Sequence, residues 1–240
     1  MRSIVRVPAL LVCFLIGCHN NVAARDVGER LFSDPTLSTS PVNSFSCATC
    51  HAVGAGAPSI TDGGPHLGTI NAGYDLFNVT HRPSWWGGYV IHLLDAINYC
   101  LTTFMGGGPL TADDDKARAL FEYLNANSPD TAPPALPLTV VLNPTSLSNL
   151  TGQAARGRDV YGRACQKCHG DAHTGTGRLN SRVSIIPEDT IAVFPTNARA
   201  VVVEKVRHGR FFNIGGVMPL YSAEAISDQE IADILSHLGL

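Results

Sequence analysis

The sequence has few Met, Trp and charged residues, and it lacks the motifs of several common protein classes. Its 240 residues include only three Met and two Trp, and charged residues make up 15% of the chain. Lys and Arg number 17 against 20 Asp and Glu, and this acidic balance argues against a nucleic-acid partner. The Gly-rich segment 106–109 lacks the Lys-Ser/Thr ending of a phosphate-binding loop. Nucleic-acid-binding and nucleotide-binding classes are therefore disfavoured.

The apolar run at the amino terminus, residues 7–17, is too short to span a bilayer. It follows two Arg and has the length of a signal-peptide core, so we expect an exported protein. The run leads into Leu-Ile-Gly-Cys18, which resembles the bacterial lipobox. A lipoprotein-type signal peptide of residues 1–18 would leave Cys18 for acylation and membrane anchoring, whereas cleavage after Ala24 would give a soluble product. The expected location is the bacterial cell envelope, in the periplasm or otherwise outside the cytoplasm.

Cysteine is the most informative residue type, because Cys-x-x-Cys-His occurs at residues 47–51 and again at 165–169. Two thiols at this spacing add to the vinyl groups of haem, and the adjacent imidazole binds the iron. Paired Cys-x-x-Cys zinc sites are usually much closer together in sequence. The motifs predict two covalently bound haem c groups. The expected thioether residues are Cys47, Cys50, Cys165 and Cys168, and the expected proximal iron ligands are His51 and His169.

The sixth ligands of the two irons are suggested by rare residues. Met105 follows His51 by 54 residues and Met218 follows His169 by 49, and these are the only Met after the first residue. We therefore expect Met218 to bind the second iron. Cys100 has no other expected role, so it and Met105 are the two candidates for the sixth ligand of the first iron. Less favoured alternatives there are His66, His81 and His92.

Two motifs of one kind also indicate an internal repeat. A Pro-rich segment separates them, so we expect a first domain at 19–127, a linker at 128–150 and a second domain at 151–240. Helical periodicity is predicted before each motif and after each Met. Thr111 is the expected cap of one late helix, whose inward face would carry Ala117, Leu120, Phe121 and Leu124. A capping box at Ser227 opens the other, whose inward face would carry Ile231, Ile234, Leu235 and Leu238.

This order of helix, haem motif, long loops, Met loop and terminal helix resembles the class I cytochrome c domain. The resemblance covers nearly all of the mature chain and is most specific at the motifs and at residues 216–220. It implies an all-α fold in which each domain packs its first helix across its last. It also implies thioethers at the four motif cysteines, proximal His51 and His169, and distal Met218. Gly170, Gly175 and Gly177 are similar to the glycine-rich loop beside the haem.

The first domain departs from this pattern. Residues 96–100, followed by Met105, are similar to the segment of dihaem thiosulfate dehydrogenases in which Cys is the distal ligand. Residues 34–38 look like the opening of dihaem peroxidases. Pro65 resembles the proline whose carbonyl accepts from the proximal imidazole. The segments His81-Arg82 and Trp85-Trp86 are candidates for binding haem propionates.

The expected function is electron transfer between redox proteins by a membrane-anchored dihaem c-type cytochrome. The alternatives are an oxidoreductase that oxidises a sulfur substrate such as thiosulfate at the first haem, and a peroxidase-like enzyme, so enzymatic activity stays open. Residues 19–130 carry five Lys and Arg against eleven Asp and Glu, whereas residues 151–240 carry ten against nine. Lys205, Arg207 and Arg210 could form a basic rim for an acidic partner, or a solvated helix face.

Overall fold

The computed structural model describes residues 15–53, 68–131, 139, 141–144, 147, 150–212 and 216–240, with only the backbone described at 15–22 and 211–212. Pro65, His66 and most of the predicted linker lie outside the described residues, as does the segment before Leu15. The predicted cleavage before Cys18 falls inside the first helix, of which only the backbone is described there.

The described part of the chain is helical, with no β-strand and a single isolated bridge between Trp85 and Val90. Its α-helices are α1 (Leu15–Ser33), α2 (Cys47–Cys50), α3 (Leu93–Thr103), α4 (Asp115–Ala126), α5 (Ala154–Ala164), α6 (Gln166–His169), α7 (Glu188–Val193), α8 (Ala198–His208) and α9 (Asp228–His237). Short 3₁₀ turns lie at Pro35–Leu37, Val79–His81, Trp86–Gly88 and Gly209–Phe212. The predicted all-helical fold class is confirmed for these residues.

Helices α1 and α4 pack against each other in the first half of the chain. Their closest approach is at Gly28, where an added Cβ would lie 2.0 Å from the carbonyl oxygen of Ala119. The rings of Phe32 and Tyr123 meet beside this crossing, with centroids 5.4 Å apart. A glycine in the middle of a helix costs helix propensity, and here it permits backbone-to-backbone contact.

Helices α5 and α9 form the equivalent pair in the second half. An added Cβ at Gly157 would lie 1.9 Å from the carbonyl oxygen of Asp233, so this crossing also requires glycine. The Ser227 side chain accepts from the Glu230 amide, and the Glu230 carboxylate accepts from the Ser227 amide, which confirms the capping box. The four predicted inward residues of α9, Ile231, Ile234, Leu235 and Leu238, are all buried.

The buried apolar residues form two clusters. One lies between α1, α3 and α4 and includes Leu101, Met105 and Leu120. The other lies around α5, α8 and α9. The second cluster also contains Ile70, from the first half of the chain, and Leu147, from the end of the predicted linker.

Two details of the predicted helix after Met105 are wrong. Asp114, not Thr111, caps α4, because its carboxylate accepts from the Lys116 amide at 2.8 Å. Phe121 is 46% exposed, although Ala117, Leu120 and Leu124 are buried as predicted. Phe121 lies about 100° around the helix from Leu120, at the edge of the buried stripe.

Candidate functional site

The first Cys-x-x-Cys-His motif forms the single helical turn α2. At its start the Ser46 amide donates to the Thr49 hydroxyl at 3.0 Å. At its end the His51 amide donates to the Cys47 carbonyl at 2.9 Å. Residues three apart on a helix are neighbours, so one turn brings the two cysteines to the same side. Burial raises the pKa of the Cys47 thiol to about 11. The turn thus presents two partly buried thiols on one side.

The imidazole of His51 is fixed by the backbone of a later segment. Its Nδ1 donates to the carbonyl oxygen of Tyr74 at 2.8 Å, which leaves Nε2 as the nitrogen that can bind a metal. Burial lowers the pKa of His51, so the ring is neutral at pH 7, as a ligand must be. Tyr74 occupies the role predicted for Pro65, which lies outside the described residues.

The second motif repeats this arrangement. The His169 amide donates to the Cys165 carbonyl at 2.9 Å, and the His169 Nδ1 donates to the Ser184 carbonyl at 2.9 Å. Burial lowers the pKa of His169 and raises that of Cys165 to about 12. Both motifs therefore present a neutral imidazole whose Nδ1 is already bonded, beside a pair of thiols.

Cys100 lies on α3, near enough to the first motif for its thiols to affect the pKa of Cys100. Burial raises its pKa to about 12, and the neighbouring thiols of Cys47 and Cys50 add to the shift. Met105, just beyond the end of α3, is 5% exposed and packs in the first apolar cluster. Met105 is thus buried and Cys100 is partly buried, and both stay candidates for the first distal ligand. His81 and His92, the other described candidates, are exposed.

Met218 lies beside the second apolar cluster. Its carbonyl accepts from the Arg210 amide at 2.8 Å, and Gly209 packs against the same strip of backbone. Gly209 has a positive φ of 54°. The segment that carries Met218 is therefore held against the end of α8 by backbone contacts.

Two donors near the first motif are buried without a partner among the described residues: Nε of Arg82 and Nε1 of Trp85. Arg82 also donates through one terminal nitrogen to the carbonyls of Asp75 and Phe77, both at 2.8 Å, and its charge contributes to the lowered pKa of His51. Unpaired buried donors are costly in a protein, and a carboxylate satisfies them. The chemistry of these two groups therefore fits the predicted propionate-binding role.

The predicted basic rim before Met218 is wrong for Arg207, which is 1% exposed. Its guanidinium donates to Asp228 at 2.6 Å and to the carbonyl of Ser222 at 3.1 Å. Arg207 therefore joins α8 to the start of α9 and is not available to a partner. Sequence periodicity could not show this, because a buried arginine is unusual unless it is paired.

The glycines after the second motif have the backbone conformations that a tight loop requires. Gly170, Gly175 and Gly177 have φ values of 67°, 65° and 80°. Gly170 is enclosed as well, since an added Cβ would lie 2.4 Å from the carbonyl oxygen of Thr176. Side chains other than glycine are strained at these angles.

The two motifs lie next to each other. Burial raises the pKa of Cys50 to about 12, and Cys168 of the other motif contributes to that shift.

Among the described residues there is no group of three or more His, Cys, Asp and Glu side chains placed to bind one metal ion. No helix in the described part of the chain has the length and apolar character needed to cross a membrane.

Residues 152–238 match the family model described as cytochrome C oxidase, cbb3-type, subunit III. No curated protein matches the chain. The matched residues contain α5 to α9, the second motif and Met218.

Proposed function

From the c-type cytochrome domain at residues 152–238, we propose that the whole chain is a dihaem electron carrier with a second cytochrome c domain at 19–127. The observation that carries the proposal is the repeated geometry of the two motifs. In each, a backbone carbonyl holds Nδ1 of the histidine, Tyr74 at 2.8 Å from His51 and Ser184 at 2.9 Å from His169. The same chemistry at an unmatched motif supports the same cofactor.

The packing of the first half supports a second cytochrome c domain. α1 precedes its motif and crosses α4 at Gly28, just as α5 precedes its motif and crosses α9 at Gly157. Residues 128–150 are proposed as the connection between the domains. Of its described residues, Leu147 is in the second core, and the Val141 carbonyl accepts from His208 at 2.7 Å.

Haem c supplies one-electron exchange between ferric and ferrous iron. Cys47, Cys50, Cys165 and Cys168 would hold the two groups covalently, and His51 and His169 would bind through Nε2. Arg82 and Trp85 would donate to a propionate of the first group. Met218 would provide a neutral thioether, which favours the ferrous state.

We assign the first distal position to Cys100, with Met105 as the alternative. Burial keeps the free Cys100 thiol protonated, and binding to iron would remove that proton. The thiolate charge would favour ferric iron and lower the first potential, so that electrons run from the first domain to the second. A Met105 ligand would place the two potentials closer together.

We propose a location in the bacterial cell envelope, with export by residues 1–18 and anchoring through acylated Cys18. Redox proteins are the proposed partners. Replacing Cys18→Ser tests the anchor: the variant should leave the membrane fraction with its haem content intact. Retention of the variant in membranes would contradict lipid anchoring at this residue.

Haem content tests the dihaem proposal. The denatured wild-type chain should retain the mass of two haems, because thioethers survive unfolding. Cys47→Ala/Cys50→Ala and Cys165→Ala/Cys168→Ala should each retain one. A wild-type chain with a single haem would overturn the proposal.

A second candidate function is oxidation of a sulfur substrate at the first haem, favoured by the buried thiol of Cys100 beside Cys47 and Cys50. Purified protein should be assayed with thiosulfate and an artificial electron acceptor. Turnover above a haem-free control that is lost in Cys100→Ser would establish the enzyme and displace the simple carrier. Absence of turnover with rapid exchange to a cytochrome partner supports the carrier.

A further inference from the structure

The two haem-attachment turns contact each other directly through Lys167. Its Nζ lies 2.8 Å from the carbonyl oxygen of Ala48 and 2.9 Å from that of Thr49. Lys167 is a variable position of the second motif, and Ala48 and Thr49 are the variable positions of the first. One motif therefore donates to the other, with no intervening segment.

Local chemistry explains why a lysine stabilises this contact. A single helical turn leaves most of its carbonyls without intrahelical partners. The Cys47 carbonyl accepts from His51 and the Cys50 carbonyl from Gly73, both at 2.9 Å. Lys167 supplies donors to the two carbonyls between them, and an ammonium group is favoured at the carbonyl end of a helix.

Other contacts fix the same interface. The Asn180 side chain, after the second motif, donates to the Ser44 hydroxyl, before the first, at 2.9 Å. Buried Tyr221 donates to the Ala164 carbonyl within the second half at 2.9 Å, and the Cys50 thiol of the first motif is near enough to contribute to the raised pKa of Tyr221. The side chains of Lys167 and Asn180 thus hold the two attachment turns side by side.

We propose that Lys167 is a positioning residue that fixes the two attachment turns, and with them the two haems, for direct electron exchange within one chain. The inference rests on the dihaem function proposed above. One electron would leave ferrous iron at the first site, which becomes ferric, and reduce ferric iron at the second; no proton transfer is required. The lysine charge also lies near both sites, and a nearby cation favours the reduced state of each.

The test uses the full-length dihaem protein and the variant Lys167→Met, which keeps the length of the side chain but removes charge and donors. Lys167→Arg keeps both, and Lys116→Met is a control lysine on α4 away from the motifs. The measurements are the haem mass per chain, the two midpoint potentials, the Soret circular dichroism couplet between the haems, and the internal transfer rate after rapid photoreduction.

Lys167→Met should keep two haems but lower both potentials, weaken the couplet and slow internal transfer by about tenfold or more, because small misplacements of reacting groups cost large factors in rate. Lys167→Arg should stay within about threefold of wild type, and Lys116→Met should match wild type. Wild-type rate and couplet in Lys167→Met would overturn the inference. A single haem in the wild-type chain would instead overturn the proposed function.

Asn180→Ala provides a second variant if Lys167→Met folds poorly. It removes the side-chain bond to Ser44 and leaves both motifs unchanged. It should weaken the couplet in the same direction without the loss of charge, so the potentials should stay near wild type. An unchanged couplet in Asn180→Ala would show that these side chains do not set the separation of the haems, and would overturn the inference.

Discussion

Gly73 lies directly against the imidazole ring of His51. A Cβ at Gly73 would be 2.2 Å from Cε1 and 2.4 Å from Nδ1 of that ring. The next residue, Tyr74, provides the carbonyl that holds Nδ1. The His51 imidazole therefore lies between the Tyr74 carbonyl and the backbone of Gly73.

Replacing Gly73→Ala should displace the His51 ring, because the added methyl group cannot coexist with it. We expect two haems still bound covalently, with a high-spin fraction and a lower potential at the first haem only. Absorption and electron paramagnetic resonance spectra measure both. Gly108→Ala is the matched control, since nothing lies within 4 Å of a Cβ there. Wild-type spectra in Gly73→Ala would contradict the assignment of His51.

Replacing Arg82→Gln removes a buried charge near His51. A cation favours ferrous iron, so the first potential should fall by ~40 mV, which is about 1 kcal/mol for one electron. Redox titration of both haems measures the change. Arg25→Gln is the control, because Arg25 is half exposed and paired with Asp26. An equal fall at both haems, or none, would argue against propionate binding by Arg82.

Asp233 links α9 to α5 and should contribute to acid stability. Burial alone would raise its pKa, but hydrogen bonds from Arg156, Gln153 and Gln229 outweigh burial and hold the pKa below the usual 3.8. The unfolded chain therefore binds this proton more readily. The stabilisation is present above the unfolded pKa and is lost as the pH falls through the folded pKa.

Asp233→Asn should lower the free energy of unfolding at pH 7 by about 2 kcal/mol. The variant should also lose less stability than wild type on acidification, since it lacks the titrating group. Denaturant unfolding across acidic pH measures both. Asp159→Asn is the control, because Asp159 is 67% exposed and its pair with Arg163 is a surface pair. Equal losses in the two variants would contradict the prediction.

Ile70→Ala should destabilise the second half, although residue 70 precedes the second motif by almost a hundred positions. Ile70 is 4% exposed, and its amide donates to the Arg163 carbonyl at 3.0 Å. Truncation of a buried isoleucine costs about 2–5 kcal/mol. Thermal unfolding followed at the second haem measures it, with Ile91→Ala, at a 67% exposed site, as control. An effect confined to the first haem would contradict the packing.

The sequence carries much of the local structure. The apolar period with the Ser227 capping box predicted α9, because capping and periodicity act within a few residues. The assignment of the first distal ligand stays a prediction, as do the signal peptide and the lipid anchor. The match at 152–238 agrees with the expected cytochrome c domain there.

The contacts that orient the site were not predictable in the same way. Tyr74 contacts His51 through its backbone carbonyl, so the identity of its side chain could not predict the contact. Gly73 lies 22 residues after His51, beyond the reach of any local sequence pattern. Gly28 and Gly157 were detectable as glycines inside helices, but their partners on α4 and α9 come from packing of the whole domain. The Lys167 contact depends on how distant segments meet, which no local pattern encodes.

Ile70 shows that the residues that match the family model do not contain the whole of the core around them. The family model matches residues 152–238, yet the interior that keeps those helices together also uses Ile70 and Leu147. A fragment cut at the boundaries of the similarity would carry a complete attachment motif around an incomplete interior. The stability of the matched helices is therefore expected to depend on a side chain from the first half of the chain and on another from the segment between the two motifs.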